Sequence, residues 1–152
     1  MGKLVATTIP LGTNPAALVL LIAIPIAIFV IILVFTLPTI FCRIVVSDDR
    51  IAIATPLSKG FSFGRDDVAS ISIVNLTEAK DLAPTIRLWG TSAFGFKLGW
   101  FKLANGCKAY LAICGKSDLA IAIRLKDGTY VIISPKDLDR FVKALRNYGW
   151  LK

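Results

Sequence analysis

The hydrophobic pattern begins with one unbroken apolar run, from Ala16 to Leu37. These 22 residues carry no charge and only one polar side chain. As an α-helix the run would be about 33 Å long, which matches the hydrocarbon core of a bilayer. The run is longer than the apolar core of a signal peptide, and no small-residue cleavage site follows it. The pattern therefore predicts a transmembrane helix.

The residues that flank this run fit the two ends of a helix. Asn14 and Pro15 are typical of the N-cap and the first helical position, and Pro38 is typical of the residue that follows a helix. We therefore expect a leader over residues 1–14 and a membrane helix over residues 15–38. Residues 39–152 are long enough for one compact domain.

Beyond the helix the pattern changes to short segments rich in β-branched and aromatic residues. Asn105-Gly106 and Asp127-Gly128 are strong signals for hairpin turns. About seven antiparallel strands are predicted, over residues 41–46, 50–55, 59–64, 68–76, 107–114, 119–125 and 129–134. This arrangement indicates a mainly β fold, either a barrel or a sandwich.

The last predicted element is an amphipathic helix. Ser134 is expected as its N-cap and Pro135 as its first residue, with Asp137 completing a Ser-x-x-Asp start. Four apolar residues then recur at helical spacing and form one face: Leu138, Phe141, Val142 and Leu145. We expect this face to cover the open end of the β core, and Gly149 to end the helix.

The distribution of charge predicts on which side of the membrane the domain lies. Lys3 is the only charged residue up to Leu37, so the other 17 basic and all 10 acidic residues give the remainder a formal charge of +7. The basic flank Arg43, Arg50 and Lys59 places the domain in the cytoplasm and the leader outside, at the cell membrane. A basic domain beside a membrane has anionic lipid within reach. The anchor and the lack of a basic tail argue against nucleic acid as the partner.

The residue types exclude several classes of enzyme. The chain contains no histidine, which rules out Ser-His-Asp triads, Cys-His pairs and histidine metal sites. The acidic pairs 48–49 and 66–67 are adjacent in sequence, so on strands they would point to opposite faces. The three cysteines lack metal-type spacing, and Cys42 is either a site for palmitoylation or, as we favour, a plain thiol. We expect no catalytic residue, no metal and no cofactor.

The segment 85–102 has an unusual composition, with three glycines and five large aromatics among basic residues. One interpretation is an exposed basic aromatic surface that binds lipid or a protein, and the other is a set of core aromatics with solvated lysines. We expect most of the aromatics to belong to the core. Because Arg87 and Trp89 alternate with Leu88, we expect those two to share a face. The candidate binding residues are Arg87, Trp89, Lys97, Trp100 and Lys102.

Several motifs in order resemble a known family. The motifs are Pro84-Thr85-Ile86-Arg87-Leu88-Trp89-Gly90-Thr91, then Phe94-Gly95 and Gly99-Trp100-Phe101, then Tyr130-Val131-Ile132-Ile133-Ser134-Pro135, then Phe141-Val142-x-x-Leu145. Together they resemble the prokaryotic pleckstrin-homology-like (bacterial PH) domain of membrane-anchored proteins, over residues 41–146. The resemblance implies two bent antiparallel sheets capped by a C-terminal helix and joined to membrane helices.

These observations favour a binding function over catalysis. We expect a single-pass, non-enzymatic membrane protein with a cytoplasmic PH-like binding or scaffold domain, which serves as an accessory or assembly subunit. The expected partners are membrane lipids through the span and a protein partner or a second copy of the chain. The alternative is direct binding of anionic lipid headgroups by the basic aromatic segment 87–102.

Overall fold

A computed structural model describes residues 12, 14–55, 60–93 and 95–152. The chain forms two compact units, Met1–Val34 and Phe35–Lys152. The predicted leader, except for Gly12 and Asn14, lies outside the described residues, and so does the basic flank residue Lys59.

Helix α1 runs from Pro15 to Ile40. The side chain of Asn14 accepts a hydrogen bond from the Ala16 amide at 3.1 Å, which confirms the predicted N-cap. The helix continues two residues past the expected end at Pro38, to Ile40. A proline near the end of a helix removes only one N–H donor from the ladder, so the last residues can remain helical. The helix is long and apolar enough over Pro15–Val34 to cross a membrane.

The strands form two separate sheets, which confirms the mainly β fold class. The small sheet is antiparallel, in the order β1 (Arg43–Val46), β2 (Arg50–Ala54) and β3 (Phe61–Gly64). The large sheet has the order β4-β8-β9-β7-β6-β5. Its strands are β4 (Val68–Asn75), β5 (Pro84–Ala93), β6 (Phe96–Leu103), β7 (Lys108–Ile113), β8 (Leu119–Leu125) and β9 (Tyr130–Ser134). Strands β7 and β9 pair in parallel, and the other pairs are antiparallel.

The central strands of the large sheet are buried on both faces, and on β8 large and small side chains alternate between the two. On β8, the isoleucines 121 and 123 belong to the core cluster that also contains residues of the small sheet. The intervening alanines 120 and 122 belong to a second cluster on the opposite face, together with Leu82, Leu103 and Leu111. Because side chains of a strand alternate between faces, this pattern sets the register of the sheet against its two cores.

Helix α2 (Leu138–Asn147) packs on the first core as expected. Phe141 and Leu145 are buried there, and Leu138 and Val142 are half-buried against the same cluster. The predicted start is wrong. Asp137 is the N-cap and accepts a hydrogen bond from the Arg140 amide at 3.0 Å.

Ser134 belongs to strand β9 instead of the helix start. Its side chain is fully buried, and its hydroxyl donates to the carbonyl of Leu119 at 2.8 Å. A polar group in a core needs a partner, and the neighbouring strand supplies one. The hydroxyl is therefore used inside the sheet, and Asp137 caps the helix.

The residues after α2 fold back on the core. Gly149 has φ +68°, and the amides of Gly149 and Trp150 donate to the carbonyls of Arg146 and Leu145. This pattern is a Schellman motif, for which glycine is the usual residue. The turn directs Trp150 into the first core, where its indole N–H donates to the carbonyl of Ser47 at 2.7 Å.

Candidate functional site

The segment 85–102 folds into a long hairpin of strands β5 and β6, with Gly95 in its turn. The sequence did not predict these two strands, and they raise the number in the described part of the chain from about seven to nine. The hairpin lies at one end of the large sheet, so β5 is an edge strand. The segment singled out by its composition is therefore an edge of the domain.

Two glycines face each other across this hairpin. Gly90 pairs with Gly99, and both have positive φ, at +124° and +128°. A Cβ atom added to Gly90 would collide with the carbonyl oxygen of Leu98, and one added to Gly99 would collide with that of Trp89. The two strands therefore approach each other as closely as they do because both positions lack a side chain.

Gly99→Ala is expected to destabilise the protein by about 2–3 kcal/mol, because it adds a backbone collision to an unfavourable φ. Gly106→Ala is the matched control. Gly106 also has a positive φ, +82°, but open space surrounds its missing Cβ, so only about 1 kcal/mol should be lost. Urea unfolding of the full chain in detergent measures both values. Equal losses would contradict the close approach of the two strands.

A β-bulge separates two of the candidate residues. The pairing of β5 with β6 shifts between Arg87 and Trp89, so that Arg87 pairs with Phe101 and Trp89 with Trp100. Paired residues lie on the same face of a sheet. Arg87 is therefore on the face of the second core and Trp89 on the face of the first. The expectation that these two residues share a face is wrong, because Leu88 is the extra residue of the bulge.

Strand β5 exposes large apolar side chains to solvent. Trp89 is 73% exposed, Ile86 is 56% exposed and Leu88 is 50% exposed. Ile86 pairs with Lys102, which places both on the same face as Trp89. Isolated exposed apolar residues are common, but three neighbouring ones on an edge strand are typical of a binding surface.

Trp100 has a different environment from Trp89. Its ring packs edge-on against Phe61 and Tyr110, with centroids 5.0 Å and 5.3 Å away. The ammonium group of Lys108 lies 4.9 Å from the ring centroid. Trp100 is half-buried beside the first core, and Phe101 is buried in the second. The aromatics of this segment are therefore divided between surface and core. Trp89 is exposed, and Phe101 is buried.

The basic candidates divide between the two faces of the edge. Lys102 lies on the Trp89 face, and Lys97, which pairs with Ser92, lies on the Arg87 face. In the part of the chain that the structure describes, the ion pair within 4.0 Å is Arg50 with Asp49, so these bases have no carboxylate partner there. The β5 edge surface is hereafter the set Ile86, Arg87, Leu88, Trp89, Lys97 and Lys102. It combines exposed apolar area with uncompensated positive charge.

Two of the three cysteines share one small cavity beside strand β6. Cys42 and Cys114 are half-buried and line one small cavity between Leu98 and Ala112. Burial raises the pKa of the Cys42 thiol to about 11, and Cys114 adds a smaller effect in the same direction. The thiol is therefore protonated at neutral pH, which makes it a poor nucleophile. Within the described ranges, no group of three cysteine or acidic side chains could hold a metal ion.

Sequence reasoning missed Ile86 and Leu88 as members of this surface, and it placed Arg87 on the wrong face. Strand alternation was the available signal, but the bulge at Leu88 interrupts it. Phe94, part of the motif that suggested this segment, lies outside the described residues.

Comparison with protein families gives one result that covers most of the chain. A family model described as "Bacterial PH domain" matches residues 42–148. That range contains every described strand and helix α2. Searches of curated proteins and of solved structures find no match.

Proposed function

The chain belongs to the bacterial PH domain family, whose domains are typically non-catalytic binding modules, and from that premise we propose a membrane-anchored scaffold. In this proposal the protein has no enzymatic activity. It is an accessory or assembly subunit that binds a protein partner at the cytoplasmic face of the cell membrane. Helix α1 supplies the anchor, and the β5 edge surface supplies the contact.

One observation carries this proposal, namely the exposure of Trp89 beside Ile86 and Leu88. Tryptophan and arginine are the residues most enriched among those that dominate binding energy at protein interfaces. Here Arg87 and Trp89 stand on an edge strand with apolar neighbours, and Trp89 is far more exposed than the half-buried Trp100 or the buried Trp150. The surface thus offers an anchor residue that the domain itself does not bury.

Site-specific crosslinking tests this function. A photo-crosslinking phenylalanine analogue at Trp89, in the full chain in native membranes, is expected to give discrete adducts with protein. The matched control places the analogue at Tyr148, an exposed aromatic beyond helix α2. Adducts of equal yield at both positions, or adducts at neither, would contradict a partner at the β5 edge surface.

The orientation is tested separately. With the native cysteines replaced, Asp127→Cys in the exposed β8–β9 turn is expected to stay unlabelled by an impermeant maleimide on intact cells. Permeabilised cells should show full labelling, because the position is solvent-exposed. The basic flank Arg43 and Arg50 motivates this expectation. Labelling of intact cells would reverse the topology.

The second candidate function is direct binding of anionic headgroups. Lys97 and Lys102 favour it, because no carboxylate among the described residues lies within 4.0 Å of either. Each base close to an anionic surface contributes about 1 kcal/mol. The full chain is reconstituted into neutral and into anionic nanodiscs, and iodide quenching of tryptophan fluorescence is compared. Lipid binding would be established if iodide quenched Trp89 less in anionic discs than in neutral ones, and if this difference disappeared in the double variant Lys97→Gln with Lys102→Gln. Equal quenching in both discs would exclude it.

A further inference from the structure

Strand β5 leaves one side of the large sheet unpaired. It is the last strand in the order β4-β8-β9-β7-β6-β5, and the described residues place no strand beyond it. Every second backbone N–H and C=O of an edge strand points away from the sheet. Such a row can pair with an extended chain from another molecule, which is how several peptide-binding domains recognise their ligands.

Prolines and bulges at a sheet edge usually prevent another strand from pairing there. In β5 these features are confined to the first half of the strand. Pro84, the register shift before Ile86 and the bulge at Leu88 all precede Trp89. From Trp89 to Ala93 the pairing with β6 is continuous, without proline, bulge or charged residue. Five residues that pair continuously with β6, among them Gly90 with its positive φ of +124°, therefore form the outer side of this half.

The charge pattern identifies the chemistry of the occupant. The chain has no acidic residue between Asp81 and Asp118, and five basic residues fall in that interval. The basic members of the β5 edge surface lie on both faces, with Arg87 and Lys97 on one and Lys102 on the other. A flat membrane would meet one face, whereas a strand added along the edge has side chains on both. A second copy of this basic strand would bring like charges together.

We propose that β5 receives an extended acidic segment of a partner protein, which adds as a seventh strand along Trp89–Ala93 and contacts Arg87, Lys97 and Lys102. This inference rests on the proposed scaffold function and specifies how its partner binds. The backbone ladder supplies affinity, and the bases select for acidic side chains. The side chain of Trp89 lies on one face of the sheet, where an apolar side chain of the added strand can pack beside it.

The test uses the full chain in neutral nanodiscs and three synthetic peptides of about ten residues, the length of a long strand. The first repeats Glu-Glu-Val-Val, which places glutamate and valine on both faces of the strand. The second has the same sequence, but every backbone amide is N-methylated, so it cannot donate a ladder in either register. The third repeats Lys-Lys-Val-Val. We expect the first alone to bind, and to slow amide hydrogen exchange in residues 89–93, where the added strand would pair.

Variants supply the charge control. Arg87→Gln with Lys102→Gln should weaken binding of the glutamate–valine peptide about fivefold, as expected for two exposed ion pairs. Lys136→Gln with Lys143→Gln removes the same charge from exposed positions in and before α2, and should change binding less than about twofold. Equal effects of the two pairs would overturn selection by the β5 edge surface.

The remaining outcomes separate the two proposals. If the N-methylated peptide binds as tightly as the first, or if binding leaves exchange in residues 89–93 unchanged, strand addition is overturned while the scaffold function stands. If no peptide binds and the Trp89 crosslinks are also absent, both proposals fail. Slowed exchange in these residues without peptide, together with dimers in the discs, would assign the edge to a second copy and overturn the acidic ligand.

Discussion

Phe141→Ala is expected to lower the free energy of unfolding by about 3–5 kcal/mol, the usual range for removing a buried phenylalanine ring. Phe141 is only 7% exposed and belongs to the core cluster that joins the two sheets. Its removal leaves a cavity between helix α2 and the sheets. Urea unfolding of the full chain in detergent, followed by tryptophan fluorescence, measures the loss.

Lys143→Ala is the control for the same helix. Lys143 lies on the exposed side of α2, so its truncation should change stability by less than about 0.5 kcal/mol. The pair separates loss of packing from any change in helix propensity, since both variants introduce alanine, the best helix former. A Phe141→Ala protein that unfolds at the same urea concentration as the parent would contradict the position of α2 on the core.

Trp150→Ala is expected to have an effect of similar size, about 3–5 kcal/mol. Trp150 is 9% exposed, and its ring packs edge-on against Phe63 of the small sheet with centroids 6.4 Å apart. The guanidinium of Arg65 lies 4.8 Å from the ring centroid. The indole N–H also donates to the Ser47 carbonyl at 2.7 Å. One side chain beyond the last helix thus connects α2 to the small sheet.

Two further variants separate the contribution of the Trp150 hydrogen bond from that of its ring packing. Trp150→Phe keeps an aromatic ring but loses the hydrogen bond to Ser47, and should cost about 1–3 kcal/mol because a carbonyl is left without its partner. Lys152→Ala removes an exposed side chain nearby and should be neutral. If Trp150→Ala proved as stable as Lys152→Ala, the last residues would not be docked on the core.

Local chemistry in the sequence predicted the elements that local interactions determine. The N-cap at Asn14 and the hairpins at Asn105-Gly106 and Asp127-Gly128 were predicted from neighbouring residues alone, and the structure confirms them. The apolar face of α2 was also predicted, because helical spacing is a short-range pattern.

The wrong predictions concern residues whose position or hydrogen bonding depends on a strand that is distant in sequence. Ser134 has the chemistry of an N-cap, but its hydroxyl bonds to Leu119 in the neighbouring strand. The bulge at Leu88 moves Arg87 to the opposite face from Trp89, and one extra residue is enough to do so because side chains alternate with a period of two. The parallel pairing of β7 with β9 joins residues about twenty positions apart and leaves no local signal.

Exposure of the candidate residues could not be predicted for the same reason. Trp89 and Trp100 pair across the hairpin on one face, yet only Trp100 is covered by Phe61 of the small sheet. Whether an aromatic of this segment is core or surface depends on where the second sheet ends. That boundary is a property of the tertiary fold.

The position of β9 has a consequence for the order of events during synthesis. It is the last strand of the chain, yet in the large sheet it joins β8 to β7. Until residues up to Ser134 have left the ribosome, the strand pair β4–β8 and the group β5–β6–β7 have no common backbone ladder. Contacts this distant in sequence form slowly, and the unpaired strands are aggregation-prone meanwhile. Helix α1 is translated long before these strands, so under the proposed anchoring it would enter the bilayer before the large sheet is complete.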